Sequence, residues 1–535
     1  MKIRHKKMVY IIVITFISFF VTSCGKPVGV NEKPEELIPE TDLGLTIGSL
    51  VEVFSFDIIS VEGYGLVGGL NGTGSTECPP QIRTYLTQYI LTQLPEHKVN
   101  VEKLIDDPDT AVVLVYGLMP AAISKNQYFD VGVAALPGTQ ATSLEGGWLY
   151  GTDLKVSGGL GVTIKVLAKA QGPIFIDTID TSETNKKIGY VMAGGTVLDE
   201  YKLNIALRLP NYKIASLIRD RLNERFGKDT AKAVSPGQIE LKVPAKYKEQ
   251  KQRFISIVKA MYLADTKQAT KKRISTFVRK LAVSKEKYAS EIALEAIGNE
   301  SLNKLAILLN SSDEQVRLQA ARCMLNLGSD DGLNALREIA MGESSAYRIE
   351  ALKTIATSAS RNDAAVISRK LLRDDSFYIR LAAYETLRKL DDIAITQKLI
   401  AHNFYLEQIT QAEHKAIFVS RSGQPRIVLF NAPLYCSDNV FVQSADGNIT
   451  INAPVGQKYV SIIRKHPKRP NMVIQLKSSF ELSDIIQTLC EAAIVEDSTK
   501  LQPGLNVAYA DMIALLKQLC DKGAIKAEFQ AGPLP

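Results

Sequence analysis

The chain has 535 residues, 46% of them apolar, and a formal net charge of +7, enough for several domains with sizeable cores. Its five histidines (His5, His97, His402, His414 and His466) are scattered singly, which excludes a zinc cluster or a His-based catalytic dyad by spacing. Thirteen Lys or Arg against three acidic residues give the window 246–287 a formal +10, so the rest of the chain is slightly acidic and the basicity is local.

At the N-terminus, Lys2, Arg4, Lys6 and Lys7 precede an apolar run over 8–21 that is too short to span a bilayer comfortably, the pattern of a secretory signal. The run ends in Val21-Thr22-Ser23-Cys24-Gly25, which resembles a bacterial lipoprotein processing box. This predicts a signal peptide over 1–23 and Cys24 as the lipidated first residue of the mature chain, with enough acyl chain for stable anchoring. Gly25 after the cysteine, by the same resemblance, favours the outer membrane. Residues 24–42, with three prolines and five acidic residues, read as an extended tether. The other five cysteines are an odd number, so at most two disulfides form within one chain, and buried free thiols are an equal reading.

From 43 to 283, short apolar runs alternate with turn residues, as in 111–116, 129–133 and 162–166, and read as strands. Two helices interrupt them. Ile214, Leu217, Ile218 and Leu222 fall at helical spacing behind an Asn211 cap and stop at Gly227, and a second helix covers about 250–263. The fold class is α+β, with helices packed on antiparallel sheet. Gly63-Tyr-Gly65-Leu-Val-Gly68 has the spacing of a dinucleotide fingerprint, but the Gly-, Asn- and Pro-rich stretch after it cannot open the required helix. No Lys follows the glycines of 69–75 to reach a phosphate. These glycines therefore predict positive-φ turns and close backbone approach.

The basic window 246–287 lacks aromatic interleaving, and export removes nucleic acid as a partner. It reads as a solvated helix face, or as a surface attracted to anionic lipid headgroups or wall polymers. From 284 to 398 the chain becomes Ala- and Leu-rich with an internal repeat: three segments align on Arg317, Arg348 and Arg380 at spacings of 31 and 32. Each carries Ala three residues after its Arg, and together they resemble HEAT repeats. In that family such arginines are a structural ladder between neighbouring repeats, which predicts a stability role and a self-contained helical solenoid that could be excised. From 399 to 535 strands return over 416–420, 426–430 and 439–442, then helices near 482–493 and 509–520 and a last strand over 525–529.

Three ordered segments, YGLVGGLNGTGS (64–75), ATSLEGGWL (141–149) and AQGPI (170–174), resemble the bacterial flagellar P-ring protein family. The resemblance continues in LRLPNYKIASLIRDRLNERFG (207–227) and SPGQIELKVP (235–244), and again in the helix pair and terminal strand of the C-terminus. It implies β-rich ring-protein domains over 43–283 and 399–535, interrupted by an all-α HEAT-like solenoid at a surface loop. It also implies a non-catalytic structural subunit in the periplasm, within the flagellar basal body. Such a subunit self-associates into a ring around the rod and meets rod and outer-ring proteins. A closed ring needs a heterologous interface, for which Gly68, Gly69, Gly72, Gly74, Gly146 and Gly147 are the candidate assembly residues. A lipid anchor departs from the family, whose members are usually soluble in the periplasm. No G-x-S-x-G elbow, H-E-x-x-H helix or S-x-x-K nucleophile occurs in a sensible setting, so no enzyme, cofactor or metal is expected. A second reading is an envelope lipoprotein adaptor that binds a protein through the HEAT-like surface, with no flagellar role. A third, a peptidoglycan-directed hydrolase, has only the compartment in its favour.

Overall fold

The computed structural model describes residues 43–535 apart from 55–57, 94–99, 121–122, 159–164, 180–184, 200–202, 445, 467–468 and 492–504. The signal peptide, Cys24 and the tether lie outside the described residues. A short helix α1 (Ile47–Leu50), capped by the Thr46 side chain, leads into β1 (Val51–Phe54). Next comes a closed six-stranded antiparallel barrel built from β2 (Ile59–Gly68), β3 (Thr110–Met119), β4 (Tyr128–Ala135), β5 (Trp148–Val156), β6 (Ala168–Pro173) and β7 (Ile188–Val197). Its order is β2-β3-β4-β7-β6-β5. Helices α2 (Pro80–Gln93) and α3 (Val101–Ile105), inserted between β2 and β3, cover part of the outside through Leu86, Val101 and Ile105. Val61, Val67, Val113, Val115, Leu149 and Leu154 alternate inward and fill the lumen, so the barrel is a packed core.

The barrel is an insertion within a second sheet. After β7 the chain forms β8 (Leu203–Leu207), α4 (Tyr212–Phe226), β9 (Ala231–Ser235) and β10 (Gln238–Leu241). These strands join β1 in the order β1-β8-β10-β9. Helix α4 begins where Asn211 Oδ1 accepts from Lys213 N at 2.9 Å and Ile214 N at 3.2 Å, and ends at Gly227 with φ 105°. Those are the ends read from the sequence, but its inward face is Ala215, Ile218 and Leu222, while Leu217 is 47% exposed.

Helices then run from α5 (Lys251–Ala260) and α6 (Lys267–Val283) through α7 (Lys287–Ile297), α8 (Leu302–Leu308), α9 (Glu314–Asn326), α10 (Asp330–Met341), α11 (Arg348–Ser358), α12 (Arg361–Leu371) and α13 (Phe377–Lys389). The helical layer therefore starts before residue 284, because the apolar face of α6 (Ile274, Phe277 and Leu281) packs with Ala293 and Leu294 of α7.

The solenoid is not self-contained, contrary to the sequence expectation. At one end Ile292 and Ala296 of α7 share a core with Phe254 and Ile257 of α5 and the β1-β8-β10-β9 sheet. At the other end α13 lies on a five-stranded mixed sheet, built from β11 (Thr396–Ile400), β12 (Phe404–Ile409), β13 (Ala416–Val419), β14 (Arg426–Phe430) and the terminal strand. Phe377 and Tyr384 meet Phe430 edge to face at centroid distances of 5.9 and 5.8 Å. Strands β13 and β14 are buried on both faces, which explains their unbroken apolar runs. Ala416, Phe418, Val428 and Phe430 face the helices. Ile417, Val419, Ile427 and Leu429 face the other core.

That second core holds an antiparallel meander of β15 (Val440–Gln443), β16 (Ile449–Ala453), β17 (Val460–His466) and β18 (Arg469–Ser478), together with α14 (Leu482–Cys490) and α15 (Tyr509–Asp521). The last strand, β19 (Glu528–Ala531), pairs parallel with β13. Met192 of β7, with Phe175 and Ile179 from the segment after β6, belongs to the same core, so the C-terminal portion is docked on the barrel.

Candidate assembly surface

The three Gly-rich segments meet at one end of the barrel. Gly68 pairs with Trp148 and Val67 with Leu149, while Trp148 pairs with Pro173 and Leu149 with Gly172. The loop after β2 is stitched down by backbone bonds: Thr142 N donates to Thr73 O at 2.9 Å, Gly74 N to Pro108 O at 3.0 Å and Ser75 N to Thr110 O at 2.8 Å. Thr73 Oγ1 donates to Leu70 O and Ser143 O, and Gly72 N to Asp109 Oδ1. These bonds tie the loop to residues 108–110 and, through Thr73, to the 141–149 segment.

The six candidate glycines divide into two groups of three. A methyl group on Gly74 would lie 2.0 Å from Thr110 O, one on Gly147 2.5 Å from Val67 Cγ1, and one on Gly68 2.6 Å from the Tyr150 hydroxyl. These three have a reason to be small inside their own subunit, so their size is not by itself a sign of an assembly contact. Gly69, Gly72 and Gly146 have φ of +80°, +81° and +73°, are exposed, and have nothing within 4 Å of an added methyl group. Beside them the single tryptophan, Trp148, is 51% exposed and Tyr150 is 46% exposed. Trp148 lies within the ATSLEGGWL segment, but in sequence both aromatics look like ordinary strand residues, with nothing to mark them as exposed. Gly63 and Gly65 lie within β2, where a methyl group would meet Asp153 O at 2.2 Å and Thr152 Oγ1 at 2.3 Å. The nucleotide-like spacing therefore reflects close passage of β5 across the barrel seam.

The three aligned arginines do not form one chain of contacts. Arg348 spans to the next repeat, donating to Asp374, and also donates to Ala340 O at 3.1 Å. Arg317 donates to Ser311 O (2.7 Å) and Ser312 O (3.2 Å), and Arg380 to Asp374 O (2.8 Å) and Asp375 O (2.7 Å). Each of those two closes the turn before its own helix.

A continuous network does run along the repeats, on residues the sequence reading missed. Arg253 of α5 donates to Glu291 and Glu295 of α7. Arg322 of α9 reaches back to Glu291 at 2.6 Å and on to Glu350 of α11 at 2.5 Å. Asn326 donates to Glu295 at 3.2 Å and accepts from Ser358 at 2.6 Å. Both glutamates are fully buried. Burial alone would raise the Glu291 carboxyl, but the guanidiniums of Arg253 and Arg322 outweigh it and hold the group below its ordinary value. The available signal was that Arg322 and Asn326 each stand 31 residues after their glutamate partners, the repeat period itself.

Among the described residues no cluster of His, Cys, Asp and Glu is arranged to hold a metal ion, and no helix is long and apolar enough to cross a membrane. Cys78, Cys323, Cys436, Cys490 and Cys520 are all free thiols, and burial pushes Cys436 up to about 11 and Cys520 up to about 12.

These features define a class: an α+β protein whose barrel, inserted in a sheet, leads into helical repeats that end against a second pair of sheets. The first part carries the flagellar P-ring signature and the helices that of HEAT repeats. The family model described as "Flagellar P-ring protein" matches residues 47–276, and that for HEAT repeats matches 301–388. The flagellar P-ring proteins of Thermotoga maritima and Thiobacillus denitrificans are each 32% identical to the chain, covering 37% and 34% of it and 60% and 52% of their own length. That of Anaeromyxobacter dehalogenans is 31% identical, over 40% of the chain and 59% of its own length. The chain thus spans between half and three-fifths of these relatives.

Proposed function

We propose that the chain is a structural, non-catalytic subunit of the flagellar basal-body P ring, a periplasmic ring around the rod, and that Cys24 anchors it by lipid, most simply to the outer membrane. The observation that carries this reading is the coincidence of the P-ring match over 47–276 with the barrel and split sheet, whose three Gly-rich segments converge on one exposed end. Self-association through that end is the proposed assembly step: Gly69, Gly72 and Gly146 leave room for a neighbouring backbone, and Trp148 and Tyr150 supply apolar area. Contacts with rod and outer-ring proteins follow from the same reading, and it calls for no cofactor and no nucleic acid. The match to HEAT repeats supports the adaptor as the second reading, since Ile307, Val366 and Tyr378 stand exposed on the helices. Electron microscopy of basal bodies from a deletion strain, with motility assays, separates the two. Loss of the ring and of swimming is expected. A strain that swims normally with complete basal bodies rejects the ring role.

A further inference from the structure

Strand β18 is the outer strand of the four-stranded meander, pairing with β17 on one side and, among the described residues, with no strand on the other. A cleft of about 330 Å³ borders it, lined by four consecutive residues, Leu476 to Ser479, and by Asp484, Gln487, Thr488 and Glu491. Consecutive strand residues point to opposite faces of a sheet, so a cleft lined by four in a row follows the backbone edge of the strand. Since β17 takes one edge, this is the free one. The other wall is one side of α14 and its C-cap, because positions i, i+3, i+4 and i+7 share a helix face. That side lies opposite Leu482, Ile485, Ile486 and Leu489, which sit in the core.

Two groups in the cleft have unused bonding capacity. Ser478 is 7% exposed, and its buried Oγ makes no hydrogen bond among the described residues, which is unfavourable unless something entering the cleft answers it. Asp484 accepts from Ser479 Oγ at 2.5 Å but meets no cation among the described residues. Lys398 and Lys477 are already engaged. The first, on β11, pairs with Glu491 at 3.7 Å and donates to Gln487 Oε1 at 2.7 Å, and the ammonium of the second stands 4.3 Å from the centroid of the Tyr459 ring. A free strand edge offers alternating N–H and C=O groups to an extended chain, and the carboxylate beside it selects a cationic side chain. Two turns of helix span about 10 Å, the length of about three extended residues.

We propose that this cleft takes an extended peptide segment, added as a strand beside β18, with a Lys or Arg side chain of the peptide on Asp484 and a polar group on Ser478 Oγ. The site contains no residue of the Gly-rich segments, so its test is independent of the ring role. Fluorescence anisotropy of the purified full chain is measured with a labelled pentapeptide Val-Thr-Lys-Thr-Val, with its central-Glu counterpart, and with the Lys peptide N-methylated at alternate backbone nitrogens. Saturable binding of the Lys peptide is expected, with about tenfold weaker binding of the Glu peptide. N-methylation should remove binding, because it takes away the donors that pair with a strand edge. Asp484→Asn should weaken the Lys peptide about fivefold, with the melting temperature unchanged. Ser478→Ala should weaken it about threefold without loss of stability, since no bond among the described residues is lost. No saturable binding of the Lys peptide by the folded chain overturns the proposal. So does equal binding of the N-methylated or Glu peptide, or undiminished affinity in Asp484→Asn. Binding that appears only after residues 492–504 are replaced by a Gly/Ser linker also overturns it, because the chain would then fill the cleft itself.

Discussion

A methyl group on Gly147 would crowd Leu70 Cδ2 at 2.7 Å as well as Val67, inside the barrel core. Gly147→Val is therefore expected to cost the monomer about 1–3 kcal/mol by overpacking, seen as a lower melting temperature before any assembly is measured. Gly72→Val should cost about 1 kcal/mol from its positive φ, yet its side chain projects into open space. If the loop is an assembly contact, this second variant should lose higher-order species by light scattering out of proportion to its small loss of stability. Equal effects on stability and assembly in both variants would count against the contact. The solenoid network makes a pH prediction. Glu291 has a folded pKa below its ordinary value of 4.5, so its contribution is present above that value and is lost as pH falls through the folded pKa. Glu291→Gln leaves Arg253 and Arg322 short of a buried partner and should destabilise by about 3 kcal/mol at neutral pH. The gap from wild type should narrow below pH 4.5 in thermal melts. A gap independent of pH would mean that the carboxylate charge is not what matters.

Among elements, α13 and the sheet beneath it decide whether the repeats can be removed. Tyr384 and Arg388 both bond the fully buried Glu407 of β12, the latter at 2.8 Å, and Phe377 and Tyr384 cover Phe418 and Phe430. Deleting 284–392 with a short Gly/Ser linker should therefore yield an aggregating or ANS-binding product, because it uncovers one whole face of the five-stranded sheet and the α5 face that receives α7. A monomeric product with native-like melting would show that the sheets stand without the helices. Helical periodicity and Ala/Leu content made the repeats legible. Their ends were not, since α7 shares its core with α5 and the first sheet, and α13 with strands of the second, contacts that helical periodicity does not carry.

At the scale of the molecule, the C-terminal portion is fastened to the barrel by a few polar bonds beside the shared core. Arg421 pairs with Asp177 at 3.1 Å with both side chains about 10% exposed, and its Nε donates to Gly532 O at 2.6 Å. Asp130 accepts from Gly423 N at 2.9 Å, and Lys517 donates to Ile179 O at 2.8 Å. Arg421→Ala leaves Asp177 short of its guanidinium and should cost about 3 kcal/mol, with faster proteolysis around 421–424 as the specific sign of undocking. Unchanged proteolysis would place the docking energy in Phe175 and its apolar neighbours instead. Attachment of the whole chain is tested through Cys24: wild type should fractionate with envelope membranes, and Cys24→Ala should shift toward the soluble fraction.

Local chemistry was sufficient for much of this protein. Short apolar runs marked β3 and β4, while the run over 162–166 falls largely outside the described residues; Asn211 and Gly227 marked the ends of α4, a period of 31–32 residues marked the repeats, and the order of Gly-rich segments marked the P-ring resemblance. Each is a property of neighbouring residues, or of spacing along one chain. Only the tertiary structure decided which glycines face inward, because φ and the distance to a strand that arrives eighty residues later are not encoded in the glycine itself. It likewise moved the repeat network from Arg317 and Arg380 to Arg253, Glu291, Glu295 and Arg322. A buried charge finds its partner on the adjacent helix, and that adjacency exists only once the helices have stacked.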